Sequence, residues 1–151
     1  MLLAKDYLDM LKSYEESLAD LYDAFAARFW LKRKFWRQLA ADERHHIQMI
    51  SDIRAQVESG QGTMRLKGFV GVDVVEARNF VLNLLNRVAD GGVARRDATR
   101  RAAGIEQTAI EGDFYGILET DSTGLKDMLG VLRKQTRERR DHLGRELRRW
   151  F

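Results

Sequence analysis

The chain has 151 residues, of which 44% are hydrophobic and 32% charged, with a net charge of +3. One domain with its own core is expected, and so mild a charge predicts by itself no nucleic-acid partner. Cysteine is absent, which excludes disulfides, thiolate zinc sites and cysteine nucleophiles and fits a reducing cytoplasm, the expected location.

No stretch approaches the ~18 uncharged apolar residues of a membrane span, and Lys5 and Asp6 interrupt the apolar start, so neither a span nor a signal peptide is expected. No Ser-His-Asp arrangement, phosphate loop or dinucleotide fingerprint is present, which removes the common hydrolases and nucleotide enzymes. Proline is also absent, where about seven would be usual at ~5%, so helices can run long.

Residues 3–28 read as a first amphipathic helix, with a stripe of Leu8, Leu11, Glu15, Leu18, Tyr22, Phe25 and Phe29. Residues 30–59 read as a second, with Trp36, Leu39, Glu43, His46, Ile50, Ile53 and Val57. The turn between them, near residues 27–31, holds neither Gly nor Pro, and Phe29, Trp30, Phe35 and Trp36 cluster around it. These aromatics read as core and end packing, with Trp30 a candidate for an oligomer interface.

Gly60, Gly62, Gly68 and Gly71 mark a loop. Asp73 is the expected N-cap of a shorter helix from Val74 to Val88, which Gly91 and Gly92 end. That apolar helix is suited to covering the bundle or pairing with another subunit, and a homodimer is expected. A third long helix is expected over 95–119. A fourth, capped among Asp121, Ser122 and Thr123, runs through Trp150. No β-sheet is expected. Two long helices, a long connection and two more long helices form an all-α, up-down bundle with one crossover, the layout of ferritin-like folds. The two halves read as a diverged repeat, each a helix pair with a carboxylate early and a histidine late.

Glu15, Glu43 and His46 stand where their stripes call for hydrophobes. A buried carboxylate is costly unless a cation or a metal pairs with it. Glu43 and His46, one turn apart on one face, can reach a single metal ion. The third helix offers Glu106, preceded at four-residue steps by the small residues Ala102 and Ala98. In the fourth helix His142 is preceded three residues earlier by Arg139 rather than an acid; Glu138, four residues earlier, lies off the stripe of Leu125, Leu129, Leu132, Thr136, Leu143 and Leu147.

Two readings follow. Either the acids and histidines bind metal, or they form a buried polar network in which the Arg139 guanidinium supplies the charge. His45 is expected on the surface and Tyr22 in the core. The arginine-rich fourth helix reads as a solvated face, with nucleic acid, acidic lipid or an acidic partner as the alternatives.

Glu15 with Tyr22 seven residues on, the run Leu39-Ala40-Ala41-Asp42-Glu43-Arg44-His45-His46 and the Ala98, Ala102, Glu106 series resemble the rubrerythrin branch of the ferritin-like superfamily. The resemblance spans the whole chain in layout and about 60 residues in motif. It implies a four-helix bundle with a buried di-iron carboxylate centre and peroxide or dioxygen chemistry of peroxidase or ferroxidase type. It casts Glu15, Glu43, His46, Glu106 and His142 as iron ligands.

Three departures stand against it. Arg139 holds the place of a bridging acid, Tyr115 falls nine residues past Glu106 rather than seven, and no cysteine is available for a rubredoxin-like iron domain. The implied site is therefore degenerate in its second half. The alternative is a non-enzymatic bundle that has lost its metal, with Arg139 filling the site, and acts as an oligomeric or partner-binding module.

Overall fold

The computed structural model describes residues 3–67 and 72–149. Five α-helices dominate: α1 (Ala4–Arg28), α2 (Arg33–Glu58), α3 (Val72–Ala89), α4 (Arg95–Glu111) and α5 (Thr123–Arg148). The chain is all-α in class, and among the described residues no helix is long and apolar enough to cross a membrane.

The helix boundaries follow local chemistry. The Leu3 backbone N–H donates to the Asp6 carboxylate at 3.2 Å, occupying an acceptor in the first turn of α1. Between α1 and α2 the chain turns through a single 3₁₀ turn, Trp30–Lys32. Gly60, at φ +76°, takes the left-handed conformation that ends α2, and Gly91, at φ +75°, does the same after α3. Ser122 caps α5, its hydroxyl accepting from Leu125 N–H at 3.3 Å.

Three expectations need correction. The helix expected over 95–119 stops at Glu111, where Gly112 and then Asp113, at φ +45°, break the helical backbone. The freed segment supplies a strand. β1 (Met64–Leu66) and β2 (Leu118–Thr120) pair antiparallel with Arg65 opposite Glu119, an exposed pair bridged at 3.0 Å. The expectation of no β-sheet is thus corrected by a ribbon three residues long, which ties the loop after α2 to the approach to α5. Asp73 sits inside the first turn of α3 rather than at its cap, where its charge favours the helix N-terminus. Gly68, Gly71 and Trp150 lie outside the described residues.

The four helices other than α3 form two antiparallel hairpins. Arg54–Asp9 and Arg44–Asp23 ion pairs run along the α1–α2 seam. Arg133–Asp113 and the Arg140–Gln107 hydrogen bond run along the α4–α5 seam. α3 packs against α1, burying Val74, Val81 and Leu84. The core at the α1–α2 end is aromatic, with Trp36 stacked on Tyr22 at 5.8 Å and tilted on Phe25 at 4.7 Å. Ala98 and Ala102 are fully buried on α4. Their small side chains let that helix come close to the rest of the core.

Candidate metal centre

Midway along the bundle the apolar core gives way to a charged layer contributed by four helices. α1 places Glu15 there, α2 places Glu43 and His46, α4 places Glu106, and α5 places Arg139. All five are buried, Arg139 the most exposed at 5%. One ligand atom from each of Glu15, Glu43 and His46 lies within 4.8 Å of the other two, so these three could share a single metal ion.

Arg139 reaches across the layer. Its Nε donates to Glu106 Oε1 at 3.2 Å, and its Nη2 lies 3.0 Å from Glu43 Oε1. Nη1 and Nη2 also stand 3.0 and 3.2 Å from His46 Nε2 and Nδ1. The lone-pair directions of the two ring nitrogens diverge in the ring plane, so one guanidinium cannot donate to both. Both terminal guanidinium nitrogens therefore crowd the His46 ring. Within its own plane His46 has other partners. Nε2 lies 2.8 Å from Gln135 Oε1, and Nδ1 faces Glu15 Oε1 at 3.8 Å. With Nε2–H donated to Gln135, Nδ1 is the nitrogen turned toward the carboxylates, the arrangement in which a second hydrogen bond orients a ligating histidine.

Tyrosines close the layer. The Tyr22 hydroxyl donates to Glu106 Oε1 at 2.9 Å, and the Tyr115 hydroxyl donates to Glu15 Oε1. Burial, aided by the nearby carboxylates, pushes both phenols and that of Tyr14 well above their ordinary range, so they act here as donors. For Arg139, burial opposes the charge, but Glu106 and Glu15 outweigh it and hold the guanidinium protonated. For Glu15, burial pushes the carboxyl up, and His46, Arg139 and Tyr115 together overcome it and hold it below the ordinary glutamate value.

A carboxyl whose folded pKa is depressed adds stability that is complete above the unfolded value, about 4.3 for glutamate, and is lost as pH falls through the folded one. The wild type should therefore lose stability relative to Glu15→Gln as urea melts are taken from neutral pH into the acid range below the ordinary glutamate pKa. Parallel curves for the two proteins would contradict this account of Glu15.

The residues singled out in the sequence separate into those brought together and those held apart. Glu15, Glu43 and His46 converge, and Glu106 joins the layer through Arg139 and Tyr22. His142 is exposed, one turn outward on α5, with its ring edge-on to Phe35 at 5.0 Å. Glu138 is exposed and pairs with Lys134 at 3.9 Å, and His45 lies on the surface as expected.

Two partners were not foreseen. Gln135, one turn before Arg139, orients His46; Tyr115 reaches Glu15 because the chain leaves the helix at Gly112. Gly112 and Gly116 flank Tyr115 in the sequence and were the available sign that it sits in a turn. Comparison with protein-family models, with curated proteins and with solved structures finds no match to this chain.

The fit of the layer to a metal can be judged from its unpaired atoms. Both oxygens of Glu43 and Oε2 of Glu15 are buried with no hydrogen-bond donor among the described residues. Arg139 Nη2 is near Glu43 but not aligned as a donor to it. Three carboxyl groups, those of Glu15, Glu43 and Glu106, face the one guanidinium of Arg139, which leaves room in the charge balance for a divalent cation. Carboxylate and imidazole donors suit iron, manganese or zinc, so the residues present fit one metal ion.

Proposed function

We propose that the chain is a ferritin-like four-helix bundle with a one-metal centre, in which Glu15, Glu43 and His46 hold a divalent cation and the Arg139 guanidinium takes the place of a second. The observation that carries this reading is the pair of buried Glu43 oxygens, both without a hydrogen-bond donor among the described residues. Buried carboxylate oxygens are almost always satisfied, and a metal ion held with Glu15 and His46 would satisfy these.

When bound, iron would supply one-electron chemistry toward peroxide or dioxygen, the activity that the resemblance to rubrerythrins implies. The chain's own residues do the rest. Gln135 fixes the tilt of His46, Tyr115 holds Glu15, and Arg139 with Tyr22 holds Glu106 in place. The buried residues Leu11, Leu18, Leu39 and Ile50 on the adjacent turns keep water from the layer.

A second reading is favoured by the guanidinium itself, which lies 3.0 to 3.2 Å from groups of Glu43, Glu106 and His46. Here Arg139 supplies the layer's positive charge without a metal, and the bundle is a non-enzymatic module. Metal analysis of protein from cells supplied with iron, manganese and zinc separates the two. About one equivalent in the wild type, falling below about 0.1 in Glu43→Gln, is expected of the one-metal centre. Less than about 0.1 equivalent in the wild type would establish the arginine-filled reading instead.

A further inference from the structure

The charge of +3 hides an uneven distribution. Five of the ten residues from Arg28 to Arg37, which wrap the α1–α2 turn, are Lys or Arg and none is acidic. The α4–α5 register set by Arg133–Asp113 and Arg140–Gln107 carries Arg145, Arg148 and Arg149 alongside the first turns of α4, which hold Arg96 and Arg100; of these, Arg100 pairs with Asp97 at 3.8 Å and Arg149 with Glu146 at 3.4 Å. Lys32 binds Glu146 at 2.6 Å, which joins the end of α5 to the α1–α2 turn. These segments therefore share one end of the bundle.

On the α1–α2 turn of that end stand Trp30 and Leu31, 68% and 64% exposed, the two most exposed large hydrophobic residues among those described. An indole and a leucine are held in water between two long helices, beside Arg33, Lys34 and Arg37.

We infer that this end of the bundle is a docking surface for an anionic lipid bilayer, with Trp30 and Leu31 entering the headgroup region and the surrounding Lys and Arg residues facing the lipid charge. Tryptophan favours the membrane–water interface, and a basic cluster is drawn to anionic headgroups. The inference concerns contact with a surface, not a span, and does not depend on metal in the core. Two other occupants fit less well. A second copy placed on this face would bring two basic rings together, and like charges across an interface are costly. Single-stranded nucleic acid would use the aromatic ring and the cations, but gives an exposed aliphatic leucine no role.

The test is sedimentation of the full chain with phosphatidylcholine vesicles, with and without phosphatidylserine, at low and raised ionic strength. Binding is expected only to the vesicles containing phosphatidylserine and should weaken with salt, accompanied by a blue shift of tryptophan emission that Trp30→Ala removes. The double variant Trp30→Ser, Leu31→Ser should bind at least about tenfold more weakly. Arg33→Gln and Arg37→Gln should each cost about fivefold. All these positions are exposed, so helical content by circular dichroism should be unchanged and weaker binding reports the surface.

No binding to the anionic vesicles overturns the inference, as does equal binding to neutral ones or wild-type binding by the double variant. Tighter binding to a single-stranded oligonucleotide than to the anionic vesicles, with Leu31→Ser as effective as wild type, would overturn it in favour of nucleic acid.

Discussion

Arg139→Ala is expected to destabilise the protein by about 3–5 kcal/mol, the cost of removing one partner from a buried ion pair. The arginine is 5% exposed and pairs with Glu43 and Glu106, which are at most 1% exposed. Alanine leaves both carboxylates without their cation and opens space beside the His46 ring. At this chain length such a loss lowers Tm by roughly 10 °C. Chemical denaturation at neutral pH measures it directly. Arg139→Lys keeps the charge but cannot reach Glu106, Glu43 and His46 at once, so it should fall between alanine and wild type. An effect of Arg139→Ala below about 1 kcal/mol, the size typical of an exposed pair, would mean that the guanidinium does not hold the layer together.

Arg139→Glu should have the larger effect. Among the described residues it removes the only strong cation in contact with Glu43 and Glu106, and it sets a fourth carboxylate among three. The loss of the pair and the added repulsion together approach the whole stability of a domain, about 5–15 kcal/mol. Without metal the variant should be largely unfolded by circular dichroism. It should recover helical content when ferrous or manganous ion is added, because four carboxylates and His46 then suit two divalent ions rather than one. A ligand that binds only the folded chain adds about 2.7 kcal/mol at a hundred times its Kd, so the recovery should follow metal concentration. If the variant is equally unfolded with and without metal, descent of this layer from a two-metal centre is contradicted. His142 is not expected to help, since it points outward against Phe35.

Much of this arrangement was legible in the sequence because helical periodicity is a strong signal where polar residues interrupt it. Glu15, Glu43 and His46 stood out as polar side chains at positions otherwise held by leucine and isoleucine, and the structure buries all three. Arg139 was conspicuous by the same logic, as a cation where an acid would complete the pattern.

What periodicity did not give was the direction of His142, at the margin of its stripe, where a small rotation of α5 decides between core and solvent. Nor did it give the end of α4. The run from Arg95 to Glu119 has no proline, and only Gly112 and Gly116 hinted at the break. Strand β2 arises because Leu118–Thr120 can pair with Met64–Leu66, a partner 54 residues distant that no local pattern announces. Gln135 was invisible for a different reason: an amide next to an apolar stripe looks like any surface residue until its partner is known.

The charged layer also fixes how the helices are aligned lengthwise. Apolar side chains on neighbouring helices interchange with little penalty when one helix slides past another. Here Glu15 is bracketed on α1 by Leu11 and Leu18, and Glu43 and His46 on α2 by Leu39 and Ile50, all fully buried. Sliding the α4–α5 hairpin by one turn, about 5.4 Å, would carry Arg139 off its carboxylates and press its guanidinium against leucine. The mid-bundle charges thus act as a pawl, permitting one alignment of the two hairpins out of several that the hydrophobic surfaces alone would accept.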